Sequence, residues 1–226
     1  MGIVLALLYL SACCWGAADA ANMYDYIQFV QQWPSTFCAG NPNCVPNPPR
    51  NYFTLHGLWP SNYSTPGHEC MGTNFSTTEM SATENHGLRD YFLPLAWPQL
   101  KAQSTNMDFW QYEYNKHGTC SENNLSQTEY FKKAYLLWYH YNAYNLFAVS
   151  AQPIYPGAYY YSIDLKRAIQ QTTQHEPLLV CKSIRVGKIY IMYLQEVIIC
   201  FDQMGNNVVP CGSRLSNCGP VAYYGY

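Results

Sequence analysis

Apolar and polar positions along the chain fall into recognisable blocks. Tyr24 to Trp33 (YDYIQFVQQW) is rich in aromatic and β-branched residues and stops at Pro34, which predicts a strand. Asn51 to Leu55 is a second extended candidate. The stretches His86 to Leu95 and Asp108 to His117 each predict a helix, the latter capped by Asp108 and ended by Gly118. Ser126 and Glu129 form a capping box. Tyr130, Phe131, Ala134, Tyr135, Trp138 and Tyr139 then recur at helical spacing, predicting a helix to about Tyr144. Ser162 to Gln171 is a shorter helix. Lys188 to Phe201 (KIYIMYLQEVIICF) is apolar on both faces and predicts a central strand. Strands early, helices in the middle and strands late imply an α+β fold. The aromatic stripe on the capped helix reads as packing against a sheet rather than as a binding surface.

Composition narrows this picture. With 226 residues, 49% of them hydrophobic, the chain can bury one substantial core. No internal repeat or low-complexity tract divides it, and the Pro-rich stretch 41–50 is short enough to be a loop. Residues 1–20 carry an apolar run, Ile3 to Leu10, and an Ala18-Asp19-Ala20 cleavage pattern, the form of a secretory signal. A single domain over 21–226 and an extracellular, secreted product are therefore expected. The start lacks Lys or Arg, so a membrane anchor is the rival reading, but the run falls short of the ~20 residues that span a bilayer.

Ten cysteines are present. Cys13 and Cys14 leave with the signal, and the remaining Cys38, Cys44, Cys70, Cys120, Cys181, Cys200, Cys211 and Cys218 read as four disulfides in an oxidising compartment. None are spaced C-x-x-C, which disfavours a zinc knuckle. Sequons at Asn62, Asn74 and Asn124 fit glycosylation in that compartment. Net charge is −2, so no global field attracts nucleic acid and any such contact is local.

Two segments carry chemistry. Phe53-Thr54-Leu55-His56-Gly57-Leu58-Trp59-Pro60 puts a histidine at the end of an extended run, before a glycine that permits close approach. Taken alone, such a histidine is more often structural. In Phe109 to Cys120 (FWQYEYNKHGTC), a helix would set Glu113, Lys116 and His117 at i, i+3 and i+4, so that carboxylate, ammonium and imidazole share a face. In isolation a surface ion pair explains it as well. Together the segments suit metal-independent RNA cleavage. That reaction needs a base for the ribose 2′-hydroxyl, an acid for the departing 5′-oxygen and positive charge at the phosphorane. The acidic residues show no D-x-D cluster for a two-metal nuclease, and no nucleotide-cofactor motif is present. Neither metal nor cofactor is expected.

FTLHGLWP and FWQYEYNKHGTC resemble the two active-site segments of the ribonuclease T2 family, and FVQQWP and the late cysteines extend the likeness over nearly the whole mature chain. The resemblance implies a central antiparallel sheet flanked by helices, and cleavage of single-stranded RNA through a 2′,3′-cyclic phosphate. It implies His56 and His117 as acid and base, His117 the base, with Glu113 and Lys116 stabilising the transition state. Trp59 would wall the base pocket, while Gln32 and Phe109 would contact a nucleobase. The family pattern pairs Cys38 with Cys44, Cys70 with Cys120, Cys181 with Cys218 and Cys200 with Cys211; sequence alone leaves on the order of a hundred pairings.

One position departs. Tyr112 stands where many members have a phosphate-binding histidine, and a hydroxyl brings a hydrogen bond but no charge. Within the family, the YDYIQFVQQWP start and four-bridge set are similar to plant S-ribonucleases, whereas the isoelectric point near 6.3 is closer to the S-like ribonucleases. The implied partners are single-stranded RNA and, in an S-ribonuclease, a protein of self-recognition; no membrane association of the mature form and a monomer are expected. A catalytically silent storage or recognition protein on the same scaffold is the alternative.

Overall fold

A computed structural model describes residues 24–64, 70, 72–212 and 216–226. The expected signal segment and His68 lie outside the described residues. In chain order the strands are β1 (Tyr26–Gln32), β2 (Thr54–Ser61), β3 (Ala158–Tyr161), β4 (Leu178–Val186), β5 (Ile189–Phe201) and β6 (Val221–Tyr224). The helices are α1 (Pro34–Cys38), α2 (Thr77–Met80), α3 (Leu93–Ala96), α4 (Asn106–Lys116), α5 (Gln127–Tyr141), α6 (Ala143–Ala148) and α7 (Ser162–Thr173).

The fold is α+β, with one sheet ordered β2-β1-β5-β6-β3 and β4 paired to β5. Every pairing is antiparallel except β5 with β6, which run parallel where Tyr193 meets Tyr223, so the sheet is mixed rather than wholly antiparallel. Strand β5 is its hub, pairing with β4 along Ile189–Ile198 and with β1 along Glu196–Phe201. This accounts for the apolar run from Val197 to Phe201, which is buried on both faces, whereas Ile189 and Tyr190 at the start of the strand are exposed.

Strand β1 is buried throughout and serves two cores by the two-residue alternation of a strand. Ile27 and Phe29 join the main core beneath the helices, while Tyr26 and Val30 join Ile198 and Cys200 in a smaller cluster. Between them, Gln31 fastens helices to sheet: its carbonyl accepts from Ala143 N at 2.9 Å and its amide donates to Tyr141 O at 3.1 Å.

Helix α5 follows its capping box, and Tyr130, Phe131, Ala134 and Trp138 are buried against the sheet. It stops at Tyr141 because Asn142 turns out to cap α6, with its side chain accepting from Tyr144 N. Helix α4 begins earlier than expected. Thr105 is its N-cap, and Asp108 is the third helical residue completing a capping box, not the cap itself. The helix predicted over His86–Leu95 is broken into a wide turn at Leu88–Phe92 and the short α3. Pro94 supplies no N–H to an α ladder, and Leu93 N–H instead reaches Leu88 O, five residues back.

The four bridges are those of the family pattern: Cys38–Cys44, Cys70–Cys120, Cys181–Cys218 and Cys200–Cys211. Among the described residues no helix is long and apolar enough to cross a membrane. Of the sequon residues, Asn74 and Asn124 are exposed and Asn62 is half-buried; Asn124 donates to the Tyr24 hydroxyl at 3.1 Å.

Candidate active site

His56 is not at the end of a strand but inside β2, and the pairing with β1 shows what it does there. Val30 faces Gly57 and Gln31 faces Leu55, leaving His56 as an extra residue between them. Such a bulge re-aims a side chain, and here it turns the imidazole out of the ladder. A second irregularity lies two strands away. Val180 faces Glu196 and Cys181 faces Leu194, so Gln195 is extra on β5. Gln32 of β1 pairs with Thr54 on one side and Glu196 on the other, between the two bulges. Glu196 Oε1 thereby comes within 2.7 Å of His56 Nδ1, although 140 residues separate them.

Helix α4 supplies the rest. Its last turn ends at Lys116, with His117 as the C-cap whose N–H bonds Glu113 O at 2.9 Å. Gly118 does not close the helix in a left-handed conformation. It opens a short 3₁₀ turn, and the Tyr114 ring packed on its backbone leaves no room for a Cβ. Cys120, in that turn, is bridged to Cys70, which ties the chain just past His117.

Trp59 joins the two segments. Its indole N–H donates to Glu113 Oε2 at 2.9 Å, its ring stacks on His117 at 5.0 Å, and the His56 ring meets it edge-on, also at 5.0 Å. Gly57 is required by this contact, because a Cβ there would overlap both Trp59 Nε1 and Glu113 Oε2. The glycine makes room for the Trp59–Glu113 hydrogen bond.

The two imidazoles are biased in opposite directions. Burial lowers the pKa of His56, but the hydrogen bond and charge of Glu196 and the charge of Glu113 outweigh it, and the net shift is upward despite Lys116. His117 is pushed down to about 3, chiefly by burial, with Lys116 and His56 adding repulsion. Glu113 is raised from the usual carboxylate value by burial, against the pull of His56, Trp59 and Lys116. Its Oε1 is 3.9 Å from His56 Nε2, a charge contact rather than a hydrogen bond.

A cleft of about 500 Å³ opens beside these groups, lined by Gln32, His56, Phe109, Tyr112 and Glu113 among others. Gln32 donates to Leu55 O at 3.3 Å and leaves its buried carbonyl oxygen without a hydrogen-bond partner. The Phe109 ring lies 6.3 Å from that of His56. Tyr112 is exposed, with Lys116 Nζ 3.4 Å from its hydroxyl. His117 lies behind the cleft wall, 8% exposed. His56, Glu113, His117 and Trp59 thus form one contiguous group, with Lys116 and Tyr112 at its exposed edge. Glu196 was missed by the sequence reading; its one local signal is a lone acid in the apolar run of β5. Among the described residues no group of three or more His, Cys, Asp or Glu side chains is placed to hold a metal ion.

An α+β sheet with one imidazole and a carboxyl lining a cleft, and a second imidazole stacked behind them on Trp59, has the groups that acid–base cleavage of a phosphodiester requires. The pattern described as the Ribonuclease T2 family matches residues 24–211, and the chain belongs to that family as a T2-type ribonuclease. Ribonuclease S-7 of Nicotiana alata is 33% identical over 92% of this chain and 88% of its own length. Extracellular ribonuclease LE of Solanum lycopersicum is 30% identical over 92% and 89%. Ribonuclease MC1 from bitter gourd seeds superposes with a TM-score of 0.76 at 28% identity, over 89% of this chain and all of its own. A variant of ribonuclease MC1 has been solved with 5′-GMP.

Proposed function

We propose that the protein is a secreted endoribonuclease that cleaves single-stranded RNA by acid–base transfer, leaving 2′,3′-cyclic phosphate ends. The observation that carries this is the pair of imidazoles touching one indole with opposite protonation biases. His117, held neutral, is the base that takes the 2′-hydroxyl proton. His56, its pKa raised by Glu196 and Glu113, is the acid that returns a proton to the departing 5′-oxygen. Glu113 and Lys116 stabilise the phosphorane between them, the ammonium by charge and the buried carboxyl by sharing a proton with its oxygens.

For the substrate, Phe109 offers a face for stacking and the unpartnered Gln32 carbonyl an acceptor for a base amino group. Trp59 supports the wall of this pocket. Glycans at Asn62, Asn74 and Asn124 and a monomeric state complete the picture of a secreted enzyme. A silent storage role has one observation in its favour, a ribonuclease-like storage protein of Panax ginseng 31% identical to this chain; the intact His56, Glu113, Lys116 and His117 favour catalysis. Style-confined expression with allelic diversity would mark self-recognition with a protein partner, and stress-induced expression RNA recycling.

The test is digestion of single-stranded RNA by the purified protein in EDTA. Cyclic-phosphate ends are expected, and His117→Ala should abolish them. Activity that disappears with the chelator overturns the mechanism.

A further inference from the structure

We propose that Glu196 is a positioning residue for the reaction: from the central strand its carboxylate holds the Nδ1–H of His56, so that Nε2 is the nitrogen that serves the leaving group. This rests on the reading of His56 as the acid and deepens it.

The case begins with cost. Glu196 is 5% exposed, in the middle of a strand whose neighbours are Leu194, Val197 and Ile198. A carboxylate is placed so only at the expense of several kcal/mol unless it is paired and hydrogen-bonded. Its partner is His56 Nδ1 at 2.7 Å, a charge-assisted distance. Each partner lies at a bulge, His56 as the extra residue of β2 against β1 and Glu196 next to Gln195, the extra residue of β5 against β4.

In this contact the carboxylate oxygen accepts and Nδ1 carries the proton, which selects the Nδ1–H tautomer of the neutral ring. The proton that moves is therefore the one on Nε2. It passes to the departing 5′-oxygen, and His56 is left neutral as that same tautomer, with no proton to relocate on the ring. Other charged and titratable groups near His56 act differently. Glu113 of α4 approaches Nε2 at 3.9 Å, too far to orient the ring, Lys116 of α4 opposes its protonation, and His117 is neutral. Tyr112, Lys101 and Asp108 line the same cleft. Among the described residues only Glu196 both orients the ring and favours its charged form.

The experiment compares Glu196→Gln with the parent protein by the pH dependence of RNA cleavage, alongside NMR of the His56 ring nitrogens. Glutamine keeps the shape and an acceptor but removes the charge. The alkaline limb of kcat/KM should move to lower pH by one unit or more, and kcat above that limb should fall about tenfold or more. KM should change little, because Glu196 does not touch substrate; Glu196→Asp should recover part of the shift. In the parent protein the neutral His56 should be the Nδ1–H tautomer. An unmoved limb in a folded Glu196→Gln variant overturns the proposal, and so does an Nε2–H tautomer in the parent, a measurement that stands even if the variant does not fold. His56→Ala separates the two readings: retained cleavage would remove the acid role itself, whereas lost cleavage with an unmoved Glu196→Gln profile would remove only Glu196.

Discussion

Trp59→Phe isolates the hydrogen bond that joins the two catalytic segments. Phenylalanine retains an aromatic ring to stack on His117 but has no N–H for Glu113 Oε2, which Trp59 reaches at 2.9 Å. Glu113 is 2% exposed, so solvent compensates little for the lost donor. A hydrogen bond to a charged group contributes ~1.5–3 kcal/mol, and the variant should lose about that much stability at pH 7. For a chain of this size that is a fall in Tm of roughly 3–12 °C. The sign of the pH dependence follows from Glu113. Trp59 lowers its pKa against the upward push of burial, so without Trp59 the folded-state pKa rises further above the ordinary 4.5. The stability advantage of the parent is then complete above the variant's pKa. It is lost as pH falls through that value and Glu113 becomes protonated in both proteins. Urea unfolding of both proteins at pH 7 and at stepwise lower pH, disulfides intact, measures this directly. A stability difference below about 1 kcal/mol at pH 7, or one that stays level on acidification, refutes the reasoning. Because Glu113 and His117 both lean on this indole, kcat should also fall by about ten- to a hundredfold.

Two further outcomes follow from the bridges and from the substituted position in the second motif. Replacing both Cys70 and Cys120 by serine should cost about 4 kcal/mol, against about 2 kcal/mol for the Cys38 and Cys44 pair, because the sequence separations closed are 50 and 6 residues. Denaturant unfolding checks the order, and equal losses would show that loop closure does not govern these bridges. Tyr112→His should lower KM by up to about fivefold with kcat unchanged, the limit for an exposed charge contact of ~1 kcal/mol. The gain should be larger at pH 5.5 than at 7.5, where the new imidazole is neutral; kinetics unchanged at both would remove Tyr112 from the substrate site.

What the sequence discloses depends on how local the cause is. Helix α5 was legible because its capping box and apolar spacing are written within one segment, and β5 because thirteen strand residues carry a sustained apolar run. Strands β3 and β6 were not, since four residues each hold no usable period, and their aromatic sequences, AYYY and VAYY, owe their strand form to pairing with one another. The bridges were legible only through the family pattern, because cysteine spacing does not specify partners. The site divides along the same line. Glu113, Lys116 and His117 share one helical turn, so their association was readable from spacing alone. What gives them distinct tasks was not readable, since it comes from contacts between distant segments. Trp59 reaches Glu113 across 54 residues, and Glu196 reaches His56 across 140, with each of that pair beside a bulge in its own strand. A bulge has no sequence signature until the partner strand is known, because it is a mismatch between two strands rather than a property of either. Two histidines of identical chemistry therefore meet different surroundings, which is what the proposed division into acid and base rests on: one meets a buried carboxylate, and the other packs under an indole with its Nδ1 unpartnered.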